Sequence, residues 1–383
     1  MEKQVNIPKL RFPEFSGEWE KKKLIDFAPL QRGFDLPVNE IIKGDFPVVF
    51  SNGILKFHNE YKVKSPGVVT GRSGTIGKVT YVEEDYWPHN TALWVTNFKN
   101  NDPKFVYYFY SKYNLEKFGT GSGVPTLNRN DVHIQEEFFP NFPEQQKIAS
   151  FLTAVDEKLH GLKKKKSLLE QYKKGMLQKI FSQELRFKAD DDSDFPEWEV
   201  KNLGEITYKV DKKNKHKEQL PIYSISNQNG FVPQSEQFEG LDSNDRGYDI
   251  SLYKIVEKNT FAYNPARINV GSIGYSGNDI DRVIISSLYV CFKTVSEIND
   301  QFFLFYLQTE HFKNLVIKKG EGGVRIYLFY ENFSEITIDV PFLEEQIKIA
   351  NFLTAIDEKI QLVQGQVNKM EVWKKGLLQK MFV

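Results

Sequence analysis

One cysteine, Cys291, in 383 residues excludes an internal disulfide framework and a cysteine-rich zinc site, and it suits a reducing cytoplasm. Neither sign of charge prevails. The 51 basic residues are balanced by 51 acidic ones, which argues against nucleic-acid binding through a bulk positive field and leaves only local placement of cations. No apolar run approaches the length of a membrane span, and the opening residues lack the apolar core of a signal peptide, so a soluble cytoplasmic protein without membrane contact is expected. His58, His89, His133, His160, His216 and His311 show no metal-ligand spacing and the acids are scattered, so neither a metal site nor a nuclease cluster is expected.

Catalytic motifs are missing as well. The stretch 71–78, GRSGTIGK, approaches a P-loop, but its glycine spacing is one residue too long and Val79 stands where Ser or Thr must hold magnesium. Asn264-Pro-Ala-Arg267 approaches the Asn-Pro-Pro-aromatic signature of amino-methyltransferases, yet lacks the second proline and the aromatic that would grip a flipped base. No strand followed by a glycine fingerprint offers a dinucleotide or S-adenosylmethionine pocket, and no cofactor is expected.

What the chain does have is a repeat. QQKIASFLTAVDEKL at 145–159 returns as QIKIANFLTAIDEKI at 346–360, 201 positions later, and the register holds to the end, Phe181 answering Phe382. Apolar residues recur every seven positions, as Ile148, Val155, Leu162, Leu169 and Met176 in one copy and Ile349, Ile356, Val363, Met370 and Leu377 in the other. Each copy therefore reads as a long amphipathic helix with one narrow stripe. Pro140, Pro143 and Pro341 mark the starts, where Glu344 and Glu345 suit the positive end of the dipole. From Ile148 to Phe181 such a helix is a rod of about 50 Å. The stripe needs a partner. The other copy in an antiparallel coiled coil meets that need with a pseudo-twofold geometry; ordinary bundle packing or dimerisation with a second molecule would also meet it.

Between the copies lie regions with little overall likeness, residues 1–142 and 183–341. Both open alike, LRFPEF from Leu10 followed by Trp19, and LRF from Leu185 followed by Phe195-Pro-Glu-Trp198, with an acidic insert at 190–194 that reads as a solvated linker. β-rich runs at 67–70, 78–82, 92–96, 260–263, 283–290 and 336–340, with helical stretches near 105–118 and 301–318, make each region α+β. Glycine landmarks match, GTIG at 74–77 and GSIG at 271–274, and a second glycine-rich loop precedes each long helix, at 119–129 and 320–327. Glycines let a backbone approach a ligand closely, while Arg and Asn read base edges by paired hydrogen bonds. The candidate base readers are Arg72, Ser73, Thr75, Lys78, Asn128 and Arg129 in the first region, and Arg267, Asn269, Ser272, Arg325 and Tyr327 in the second. Tight β-turns with solvated charges are the alternative for any one loop. The basic run 163–166 has no basic counterpart at 364–367, so it reads as a solvated helix face rather than part of a symmetric dock.

The order of variable region, helix with EQQKIASFLTAVDEKL and YKKGMLQKIF, second variable region and second helix resembles the specificity subunit of type I restriction-modification enzymes over the whole chain, as does the opening from Pro8 to Trp19. The resemblance implies two α+β target recognition domains (1–142 and 183–341) separated by spacer helices (143–182 and 342–383). It implies no catalytic activity in this chain. The expected partners are double-stranded DNA, two methyltransferase subunits docked on the helices, and restriction subunits in the full complex. Each domain would read one half of a split asymmetric site, so that Arg325→Ala relaxes or abolishes recognition of one half only. A self-contained DNA-modifying enzyme would instead transfer methyl groups without a partner, and a coiled-coil scaffold for proteins would show no sequence-specific DNA binding.

Overall fold

The computed structural model describes residues 6–121, 123–237, 240–322 and 326–383. They fall into two compact units, one formed by Met1–Lys165 with Val363–Val383 and the other by Lys166–Leu362. Each unit is a mixture of short strands and helices and takes a stretch from both long helices, Phe142–Phe181 and Leu343–Met381. At 1.5 Å per residue these helices are each about 60 Å long. All ten residues of the seven-residue stripe are buried or half-buried, which accounts for the spacing. Asn141 starts the first of them, its Oδ1 accepting from the Glu144 amide at 3.1 Å.

In the first unit a four-stranded sheet runs in the order Leu30–Arg32, Ala92–Val95, Gly67–Gly71, Val79–Val82, all neighbours antiparallel. A second sheet joins the hairpin Phe46–Phe50 and Gly53–His58 to Trp87–Pro88. Helix Pro103–Lys112 begins at Asp102, whose carboxylate accepts from Phe105 N, and it turns Phe105 and Phe109 onto Phe27 and Phe139. Leu377, Met381 and Phe382 complete that core, so the end of the chain is part of the first unit's interior.

The second unit repeats the plan, with a sheet in the order Thr207–Val210, Val290–Thr294, Phe261–Tyr263, Ile273–Tyr275 and a second in the order Gly230–Pro233, Ile222–Ser226, Arg282–Ile285, Lys254–Glu257. The apolar run 283–290 thus serves two sheets rather than one strand, because the turn at Ser286 lets the Tyr289 amide return to the Ser286 carbonyl. The helix expected over 301–318 is two, Asp300–Tyr306 and Glu310–Lys319. Thr309 breaks it: its hydroxyl donates to Tyr306 O and accepts from Phe312 N, ending one helix and capping the next. The insert at 190–194 is a closed turn, with Ala189 N on Ser193 O and Asp190 paired with Lys348.

Contacts around the long helices recur, their helix residues 201 positions apart. Asp156 pairs with Lys374 inside the first unit, and Asp357 with Lys173 inside the second. Phe12 meets Phe151 edge-on, as Phe187 meets Phe352. Leu10 N donates to Lys380 O, as Leu185 N does to Lys179 O. Glu345 is not merely an acid near a helix start; it is fully buried and gripped by Arg186 and Trp198, as Glu144 is by Arg11 and Trp19.

Candidate nucleic-acid interface

In the first unit the two glycine-rich loops are joined. Leu127 N donates to Arg72 O at 2.7 Å, Gly74 N to Pro125 O at 3.2 Å, and Ser73 bridges Thr126. Arg72, Ser73 and Thr75 therefore share a surface with Asn128 and Arg129, two stretches separated in sequence by some fifty positions. Gly71 lets its own loop close against Ser51, because a Cβ there would run into the carbonyl oxygens of Thr75 and Ser51. Thr75, Lys78, Asn128 and Arg129 are exposed, and Arg72 and Ser73 are half-buried. Two of these side chains also hold the fold: Lys78 Nζ donates to Asn52 O, and Asn128 caps helix Arg129–His133.

Sequence reading missed the turn that supports this surface. Thr91 O accepts from the amides of Arg72 and Ser73 at 2.9 and 3.1 Å, and Thr91 Oγ1 accepts from Ser51 N at 3.3 Å. Asn90 donates to Asp35, itself paired with Arg32. His89 braces the turn from below through Thr91 and the Leu36 carbonyl at 3.1 Å, and its burial pushes its pKa below the usual histidine value, partly offset by that carbonyl. His-Asn-Thr in a row carried no motif, so only the tertiary contacts reveal it.

In the second unit Arg267 and Asn269 lie on a tight turn closed by Asn264 N on Ser272 O and Ser272 N on Arg267 O, with Gly271 at φ 88°. Arg267 is exposed, its guanidinium free of hydrogen bonds and ion pairs among the described residues; Asn269 is half-buried. Ser272 departs from the expectation of a base reader. It is 2% exposed, and its hydroxyl donates to Ile225 O at 2.9 Å, so as placed it ties the turn to the neighbouring strand. Tyr327 is exposed on the adjoining loop, which Leu328 N fastens to Pro265 O at 3.1 Å. Arg325 lies outside the described residues. Among the described residues no group of three or more His, Cys, Asp or Glu side chains is placed to hold a metal ion, and no helix is long and apolar enough to cross a membrane.

Two α+β units of one plan, each taking a stretch of both repeated helices and each carrying its own polar loops, are the mark of a protein with two recognition domains. Residues 16–171 and 196–372 each match the family model of the type I restriction modification DNA specificity domain, and the chain belongs to that family. It recognises DNA sequence within a type I restriction-modification system and is a specificity subunit rather than a catalytic one. Similar chains include the type I restriction enzyme MjaIX specificity subunit of Methanocaldococcus jannaschii, 23% identical with 95% of this chain and 92% of that one covered. The MjaVIII specificity subunit of the same organism is 28% identical over 73% and 70% of the two chains. The fold matches the crystal structure of the type I restriction-modification S subunit from M. genitalium, with TM-score 0.63, 18% identity, and 98% and 99% of the chains covered.

Proposed function

We propose that the chain reads a bipartite, asymmetric DNA site, with residues 1–142 recognising one half and residues 183–341 the other. Segments 143–182 and 342–383 act as spacer helices, run antiparallel as a coiled coil about a pseudo-twofold axis, and dock two methyltransferase subunits, with restriction subunits joining the full complex. The observation that carries this reading is the contrast at the offset of 201. The ion pairs Asp156–Lys374 and Asp357–Lys173, the carboxylate grips on Glu144 and Glu345, and the ring contacts Phe12–Phe151 and Phe187–Phe352 are the same pairs twice, while the loops facing outward are not: Arg72, Ser73, Asn128 and Arg129 in one unit, Arg267, Asn269 and Tyr327 in the other. A constant frame with two unlike readers suits a target of two unlike halves at a fixed gap. Helices of this length are compatible with contacts about one DNA turn, 34 to 36 Å, apart. The balanced net charge is accommodated if the partner subunits supply part of the phosphate clamp.

The test is a methylation map of DNA from cells carrying this subunit with its methyltransferase partner. A motif of two specified parts separated by unspecified positions supports the reading. A continuous motif opposes it.

A further inference from the structure

Around one matching buried leucine, the loop of the second unit carries aromatic side chains where that of the first carries polar ones. Leu127 and Leu328, 201 apart, are both buried, and their amides donate to Arg72 O and Pro265 O. The residues flanking them differ: Thr126 and Asn128 in the first unit, Tyr327 and Phe329 in the second. Asn128 is the N-cap of helix Arg129–His133 and accepts from Asn130 N at 3.0 Å; Phe329 is the N-cap of helix Tyr330–Ser334 and offers no side-chain cap. Phe329 thus forgoes a typical capping contribution while leaving its ring 46% exposed, stacked on Tyr327 with centroids 6.2 Å apart. A local rule broken without gain to the fold points to a use outside it.

Two more exposed apolar side chains stand close by. Val270 lies on the turn of Arg267, and Leu288, 76% exposed, lies on the turn that the pairing of Tyr263 with Val290 brings alongside Asn264. The first unit carries Asn90 and Thr91 on its turn before the corresponding strand, Ala92–Val95. A protein partner common to the two units would select one chemistry at both places. A ligand whose two halves differ would not, and DNA is such a ligand. The apolar group that the DNA major groove presents is the thymine 5-methyl. We propose that the second unit reads its half-site through thymine methyl groups held by Phe329, Tyr327 and Leu288 around the Arg267 guanidinium, whereas the first unit reads by hydrogen bonds.

This rests on each unit reading one half-site, so the methylation map comes first; a continuous motif would overturn that reading before the present one is reached. With the split motif known, Arg267→Ala assigns the half read by the second unit. Binding of the subunit–methyltransferase complex is then compared on duplexes carrying thymine or uracil in that half, which differ only by the methyl. The expected loss is about fourfold per contacted methyl, the worth of one buried methylene. Phe329→Asn restores the capping residue used at the matching position, so the fold should hold while the uracil penalty shrinks. A half-site without thymine, equal binding of thymine and uracil duplexes, an unchanged uracil penalty in Phe329→Asn, or release of the methyltransferase subunit by that variant would overturn the proposal.

Discussion

Arg11 faces Glu144 in a fork-to-fork pair, Nε to Oε1 and Nη2 to Oε2 both at 2.7 Å, with the Trp19 indole donating to the same carboxylate at 3.3 Å. Glu144 is 1% exposed. Arg186 and Glu345 repeat the pair at 2.9 and 2.9 Å, with Trp198 donating at 3.0 Å. Each unit thus fastens its opening segment to the first turn of a long helix through a buried charge. Removing the cation alone leaves that charge uncompensated, so Arg186→Ala should cost about 3 kcal/mol in chemical denaturation. The double change Arg186→Met with Glu345→Leu should cost less than Arg186→Ala alone. Equal losses would mean that the pairing is not what holds the segment.

The half-buried pairs Asp156–Lys374 and Asp357–Lys173, at 2.5 and 2.8 Å, occupy equivalent places in the two units. Lys173→Glu should destabilise by about 1 kcal/mol, and adding Asp357→Lys should recover most of it. The same cycle at Lys374 and Asp156 should give a similar coupling. Coupling in one unit only would show that the repeated sequence does not carry repeated energetics.

How far the sequence could be read follows from the range of the interactions. The helices were legible because a stripe of period seven is local: Ile148 to Met176 and Ile349 to Leu377 need only their own spacing. Repeated openings at Leu10 and Leu185 were visible, but their purpose was not, since Arg11 lies 133 positions from Glu144. Strand runs failed where one apolar stretch, 283–290, fed two sheets. Among the site residues, Arg72 and Asn128 were found as glycine-loop neighbours, and the structure brings them together. The support from Asn90 and Thr91 and the internal use of the Ser272 hydroxyl arise from tertiary hydrogen bonds that no motif encodes.

His133 accepts from Leu30 N on Nε2 at 2.9 Å, which requires the neutral ring, and burial, with Arg129 adding to it, lowers its pKa. His89 is lowered too, chiefly by burial. Unfolding therefore takes up protons once the pH falls below about 6.5, the usual histidine value, and stability declines from there downward. The melting temperature should drop between about pH 7.5 and pH 5.5, and the drop should be smaller in a variant carrying His89→Gln and His133→Gln. An unchanged slope would remove these histidines from the acid response.

Gly71 admits the close approach of Thr75 O and Ser51 O at the base of the first unit's loops. Gly71→Ala must push those carbonyls away, and should weaken selection of one half-site at least tenfold, the cost of displacing one or two direct base contacts. Competition binding with DNA altered in either half reads this out. Equal loss on both halves would place the defect in general folding.

Two unlike units on a repeated frame, each reading its own half of the site, must be separable by mutation. The most direct measurement is a set of methylation maps from cells carrying the methyltransferase partner with the wild-type subunit, Arg72→Ala or Arg267→Ala. The expected result is a split motif in which Arg72→Ala relaxes one half, Arg267→Ala relaxes the other, and the gap stays constant. Loss spread evenly over both halves in either variant, or relaxation of the same half by both, would contradict it.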